Sequence, residues 1–281
     1  MPPLRVPYTF ALTCISRALE VRDLLFKPVP AHLRTPAPGI AVSRESFSSG
    51  NNLIDAVFVR QTTTPPQAAI VLCHGIGETV DRWFPVQQLL ALNGVASLGF
   101  DYSGYGRSTG RVDWRQSELD AVAAFDHMRH LVHPLPASLL GFSLGTGIAA
   151  AIIHKVSAEK LILCAAFTSF RDGAFTAGIP RAFSYLVPAI WDTRQSLPNC
   201  PVPVLIVHGE KDSLFPLKMA RELVAACPGN TELVVVPNVG HNQPFRTPDL
   251  DFWGPVISWV VPEVAAQAAA AAPQVPALHL K

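Results

Sequence analysis

Charge is scarce in this sequence. Of 281 residues only 15% are charged, and 22 basic side chains nearly cancel 21 acidic ones. Without a broad basic field the chain has little to hold a nucleic-acid backbone, and it has no acidic tail to repel one. Paired cysteines are missing too. Cys14, Cys73, Cys164, Cys200 and Cys227 are odd in number, scattered and without a C-x-x-C, so neither a zinc knuckle nor a disulfide framework is signalled. Buried thiols in a reducing compartment are the simplest expectation. Cys73 alone, beside a candidate active-site loop, has a reactive reading to set against that of a packed strand residue. No apolar run reaches the roughly 18 residues that a membrane-spanning helix needs. What the chain does have is apolar bulk, 49% of its residues, enough for a large core and far from a disordered composition. The partner this favours is a small, mostly apolar molecule and no nucleic acid.

The ends read as peripheral. Tyr8, Leu12, Ile15, Leu19 and Phe26 recur at near-helical spacing, with Arg17, Glu20 and Asp23 on the other side, so an amphipathic helix is expected rather than a secretory signal. It either docks on the domain, the favoured expectation, or lies on a membrane surface. Localisation is accordingly open between the cytoplasm and a peripheral membrane site. Residues 28–39 hold four prolines and a glycine and read as a connector, which closes an N-terminal segment at residue 40. Residues 265–281 form an Ala/Pro-rich tail expected to be disordered. Residues 41–264 are left as one domain.

Within that domain short apolar runs alternate with helix-period stretches, the pattern of βα units and a mostly parallel sheet flanked by helices. Strands are expected at Ile54–Val59, Ala69–Cys73, Val95–Phe100, Ser138–Leu140, Leu161–Cys164, Val202–Val207 and Leu233–Val236. Helices are expected at Trp83–Leu92, Gln116–Leu131, Leu144–Lys155, Leu217–Ala226 and Phe252–Val261. In such sheets chemistry gathers in the loops at the carboxyl ends of the strands.

Three loops in those places carry reactive residues. The strand at Ser138–Leu140 runs into Gly141-Phe142-Ser143-Leu144-Gly145 and then a helix, which is G-x-S-x-G in its strand–turn–helix setting. The glycines relieve crowding at a sharp turn, and the serine projects above the sheet at a helix N-terminus. A serine hydroxyl needs a base. His241 follows the last strand through Pro237-Asn238-Val239-Gly240, whereas His208 lies between nucleophile and acid, and His127, His130 and His133 lie on a helix and its end. The imidazole in turn needs an orienting carboxylate. Asp212, just past Val202–Val207, is that candidate, with Glu210 its near rival and Asp172 and Asp192 weaker ones. A fourth loop, His74-Gly75-Ile76-Gly77, follows a strand. The backbone N–H groups of Ile76 and Leu144 are the candidate oxyanion donors, and His74 is read as loop support.

Together these pieces resemble the α/β-hydrolase superfamily over roughly residues 50–262. Asp101-Tyr102-Ser103-Gly104-Tyr105-Gly106-Arg107-Ser108 resembles the family's D-x-x-G-x-G-x-S turn, His208-Gly209-Glu210-Lys211-Asp212 its acid loop, and Val239-Gly240-His241-Asn242 its histidine loop. The likeness is greatest to the BEM46-like group, relatives of the ABHD13 and ABHD17 types. It implies an α/β-hydrolase fold with a short cap, and a serine esterase or acyl-thioester hydrolase that needs no cofactor or metal. The family usually has Arg where Phe142 stands and Asn where Ile76 stands, and the lipid-carrying cysteine cluster of the ABHD17 type is absent.

Between about 167 and 197 the βα rhythm breaks where this fold often inserts a cap. The stretch is aromatic and apolar, without an evident charged cluster, and Phe175, Phe183 and Trp191, with Trp83 and Phe84, are the candidate substrate-pocket residues. The alternative is that they seal the cap against the sheet. The leading function is a carboxylester or thioester hydrolase. A lyase or perhydrolase on the same fold and a catalytically idle binding protein are the alternatives.

Overall fold

Runs such as Ala-Ile-Val-Leu-Cys have no polar face to turn to water, so they settle where a sheet is covered on both sides. The computed structural model describes Leu33 and residues 35–261 other than Pro228. The N-terminal amphipathic segment and the Ala/Pro-rich tail lie outside the described residues. Eight strands form one sheet: β1 (Ile40–Ser49), β2 (Asn52–Gln61), β3 (Ala68–Cys73), β4 (Val95–Phe100), β5 (Ala137–Phe142), β6 (Leu161–Cys164), β7 (Val204–Gly209) and β8 (Thr231–Val236). Their spatial order is β1-β2-β4-β3-β5-β6-β7-β8. The pairs β1–β2 and β2–β4 are antiparallel, and every later pair is parallel. Every residue of β3 to β7 is buried.

Helices cover both faces. On one side α2 (Trp114–Val132), α3 (Leu144–Ile152) and α6 (Leu217–Ala226) set Phe125, Ile148 and Leu223 into the larger core. On the other, α1 (Val80–Leu92) and α8 (Leu250–Val260) contribute Trp83, Leu90, Phe252 and Trp253. Between β6 and β7 lie α4 (Phe170–Thr176), a 3-10 turn (Arg181–Leu186) and α5 (Thr193–Ser196). A four-residue helix, α7 (Gln243–Arg246), precedes α8.

The seven expected strands are present, but β1 was not anticipated. Its sequence, Ile-Ala-Val-Ser-Arg-Glu-Ser-Phe-Ser-Ser, is largely polar, and as an antiparallel edge strand it is mostly half-exposed, so no apolar run announces it. The expected Val202 start moves to Val204, because Pro203 has no N–H to give the ladder. The expected helix Leu144–Lys155 tightens to a 3-10 turn at Ile153. Among the described residues no helix is long and apolar enough to cross a membrane.

Candidate active site

The site grows from the end of β5. Ser143 is held at φ 52°, ψ −118°, a backbone state that costs a residue with a Cβ about 1–3 kcal/mol. Three bonds hold it there. Ser143 N–H donates to the Cys164 carbonyl at 3.0 Å, and the Thr146 N–H and hydroxyl donate to the Ser143 carbonyl at 3.0 and 2.6 Å. The flanking glycines leave the room this requires. A Cβ on Gly141 would stand 2.3 Å from the Gly145 carbonyl oxygen, and one on Gly145 only 2.0 Å from that of Cys73. Because both obstacles are backbone, neither can swing aside. Gly145→Ala is therefore expected to destabilise the fold by about 3 kcal/mol or more, read as a lower urea midpoint. An unchanged midpoint would show that β3 and the elbow are not so closely apposed.

The acid and the base come from the next two strand ends. Past β7, Asp212 is buried, and its Oδ1 accepts the N–H groups of Leu214 (3.0 Å) and Phe215 (2.8 Å). This fixes the carboxyl plane and leaves Oδ2 facing His241 Nδ1 at 2.7 Å. The other ring nitrogen, Nε2, lies 3.0 Å from Ser143 Oγ. The loops brace each other, since Lys211 N–H donates to the Val239 carbonyl at 2.9 Å. Glu210 faces elsewhere and accepts the Asn238 N–H at 3.1 Å. His208 is wholly buried with Nε2 2.8 Å from the Phe215 carbonyl, and burial lowers its pKa; it closes the acid loop from behind. The three residues singled out in the sequence thus form one continuous row.

Two family models match parts of the chain. Residues 64–199 match the model described as serine aminopeptidase, S33, and residues 178–247 match that of the alpha/beta hydrolase fold. A soluble variant of monoglyceride lipase from Saccharomyces cerevisiae superposes with TM-score 0.63 at 18% identity, over 85% of this chain and 99% of the other. The chain has the α/β-hydrolase fold. Two curated proteins are similar to it in sequence. An uncharacterised protein of Mycobacterium tuberculosis is 29% identical over 180 residues, 63% of each chain. A lysophosphatidylserine lipase of Danio rerio, ABHD12, is 26% identical over 189 residues, 60% of this chain and 50% of its own. The matched region thus spans less than two thirds of either relative.

In this α/β-hydrolase fold the loop after β3 is organised by a residue that sequence reasoning missed. Glu78 is buried, and its Oε2 accepts the Gly75 N–H at 2.8 Å and the Trp83 indole N–H at 2.6 Å. In sequence Glu78 is one carboxylate in the loop ahead of the helix expected at Trp83–Leu92, and only the three-residue spacing from Gly75 hints at a loop bond. Burial pushes its pKa up. Ionisation therefore costs more in the folded than in the unfolded state. Stability linked to Glu78 is present below its unfolded pKa and is lost as pH rises through its higher folded value. Glu78→Gln keeps an acceptor and removes that loss, so its melting temperature is expected to gain on wild type as pH rises above the ordinary glutamate value of 4.5. Glu78→Ala strands two buried donors at about 1–3 kcal/mol each and is expected to be less stable than the Gln variant at every pH. Equal stability of the two variants would refute this.

Ile76 is partly exposed, and neither its N–H nor that of Leu144 has an intramolecular acceptor among the described residues. His74 is buried, with Nδ1 2.7 Å from the Gly75 carbonyl, and burial drives its pKa down to about 4. It is a neutral loop support. Asp101, which accepts the Val80 N–H at 2.8 Å, is pushed up to about 7 by burial. The Cys73 thiol is fully buried and raised to about 12, chiefly by desolvation, which rules out the reactive reading.

The expected aromatic pocket needs correction. Trp83 is 1% exposed and packs against Phe142 and Trp253, and Phe84 is 2% exposed in the small core under β2. Trp191 is buried, edge-on to Trp114 and Phe170, with its indole N–H donating to Glu118. These three are core residues. Their size, which suggested substrate contact, instead fills space between segments far apart in sequence. Phe183 is 46% exposed, and Phe175 lines a cleft beside the cap. The ring of Phe142 fits between Trp83, Phe245 and His241.

Proposed function

We propose that this chain is a serine hydrolase that cleaves carboxylic ester or thioester bonds of a mostly apolar acyl substrate. The observation that carries the proposal is the row Ser143 Oγ to His241 Nε2, 3.0 Å, and His241 Nδ1 to Asp212 Oδ2, 2.7 Å. In this reading His241 takes the Ser143 proton as Oγ attacks the acyl carbon. The Ile76 and Leu144 N–H groups receive the oxyanion, and the imidazolium returns the proton to the leaving alcohol or thiol. Water then repeats the sequence on the acyl-enzyme. Asp212 stabilises the imidazolium and holds its tautomer. The names of the similar proteins, a lipase among them, and the hydrolase family models support the same class. The BEM46-like subgroup is part of this proposal and rests on the sequence motifs alone. A fluorophosphonate probe tests it: labelling is expected at Ser143, together with hydrolysis of p-nitrophenyl butyrate. Labelling without hydrolysis would favour non-hydrolytic chemistry, and no labelling would remove the nucleophile.

A further inference from the structure

The cap is less apolar than its sequence suggests, because its cations converge only when folded. Residues of α4, α5, the 3-10 turn and the start of α6 line a cleft of about 360 Å³. One pair of rings links it to the row described above: Phe215, whose ring stands 4.9 Å from that of His241 and 5.4 Å from that of Phe167, precedes Pro216 in the cleft lining, and Thr168, which also lines the cleft, follows Phe167. Arg181, Arg194 and Lys218 line it together with Asp172 and Glu222.

The acids do not cancel the cations evenly. Asp172 is committed to the protein, accepting from the Thr168 and Ser169 hydroxyls at 2.8 Å each and from Arg194 at 3.2 Å, and it is held ionised below its usual range. Arg194 is shared further with Asp192 (3.8 Å) and Glu222 (3.9 Å). Among the described residues Lys218 has only a long, exposed contact to Glu222 at 3.8 Å, which holds it weakly. Arg181 forms no ion pair among the described residues, although its charge helps to keep Asp172 ionised; its guanidinium lies over the Phe175 ring at 5.2 Å. A positioned guanidinium and a nearby ammonium with spare donors match an oxyanion of phosphate or carboxylate type.

We propose that this cleft receives an anionic group on the substrate, so that the preferred ester is an amphiphile with an acyl chain at Ser143 and a phosphate or carboxylate held by Arg181 and Lys218. This rests on the serine-hydrolase reading for its chemistry but not for its binding. Titration calorimetry with octyl phosphate, and with neutral octyl glucoside as control, separates the two. Wild type and Ser143→Ala are expected to bind octyl phosphate alike, at least about tenfold more tightly than octyl glucoside, and the Arg181→Ala/Lys218→Ala double variant is expected to lose that margin. In turnover, the ratio of kcat/KM for octanoylglycerol phosphate over octanoylglycerol is expected to fall about tenfold in the double variant. Equal binding of the two amphiphiles by wild type, or an unchanged margin in the double variant, overturns the proposal. Binding as expected with turnover surviving in Ser143→Ala would overturn the nucleophile instead.

Discussion

Ser143→Ala is expected to lower ester turnover by about 10⁶-fold while leaving the fold intact. The loss is large because the hydroxyl is the atom that bonds to the acyl carbon, and His241 without it has no bound nucleophile to activate. The fold is expected to survive because Ala also carries a Cβ, so the strained turn at φ 52° is no worse, and the backbone bonds to Cys164 and Thr146 do not involve Oγ. Among the described residues the only bond lost is that to His241 Nε2. Initial rates on p-nitrophenyl butyrate, beside a urea unfolding curve, read both halves. A variant that keeps most of its turnover contradicts the assignment of Ser143.

Asp212→Asn is expected to cost about 10⁴ in kcat, the size of loss seen when an acid in such a row becomes an amide. The physical cause is the tautomer. Asp212 Oδ1 is fixed by two backbone N–H groups, so the amide oxygen takes that place and the NH₂ faces His241 Nδ1. Nδ1 must then accept, the ring proton moves to Nε2, and the nitrogen facing Ser143 no longer has a lone pair for its proton. Fluorophosphonate labelling of Ser143 is expected to slow in parallel. Glu210→Gln touches only the Asn238 N–H and is expected to change kcat by less than about threefold, within what a rim bond is worth. A larger effect at Glu210 than at Asp212 would show that the wrong carboxylate has been chosen.

These outcomes rest on features legible to different degrees in the sequence. The buried strands were legible because each is a continuous apolar run, and a chain segment without a polar face has few places to go. The edge strand β1 was not, since its hydrogen bonds come from β2 and its polar residues meet water. Size alone misled at Trp83, Phe84 and Trp191, where large aromatic side chains suggested a pocket and proved to be packing.

By itself the sequence determined the turn at Ser143, the order of serine, acid and histidine, and the strands that present them. All of these follow from neighbouring residues: glycines where backbones meet, and apolar runs that stop at polar loops. Tertiary structure alone decided that Asp212 rather than Glu210 faces His241, that Glu78 holds the loop after β3, and that Arg181 and Lys218 share a cleft. Each is a distance between segments remote in the chain, set by how helices and loops pack on the sheet, and no local pattern records it.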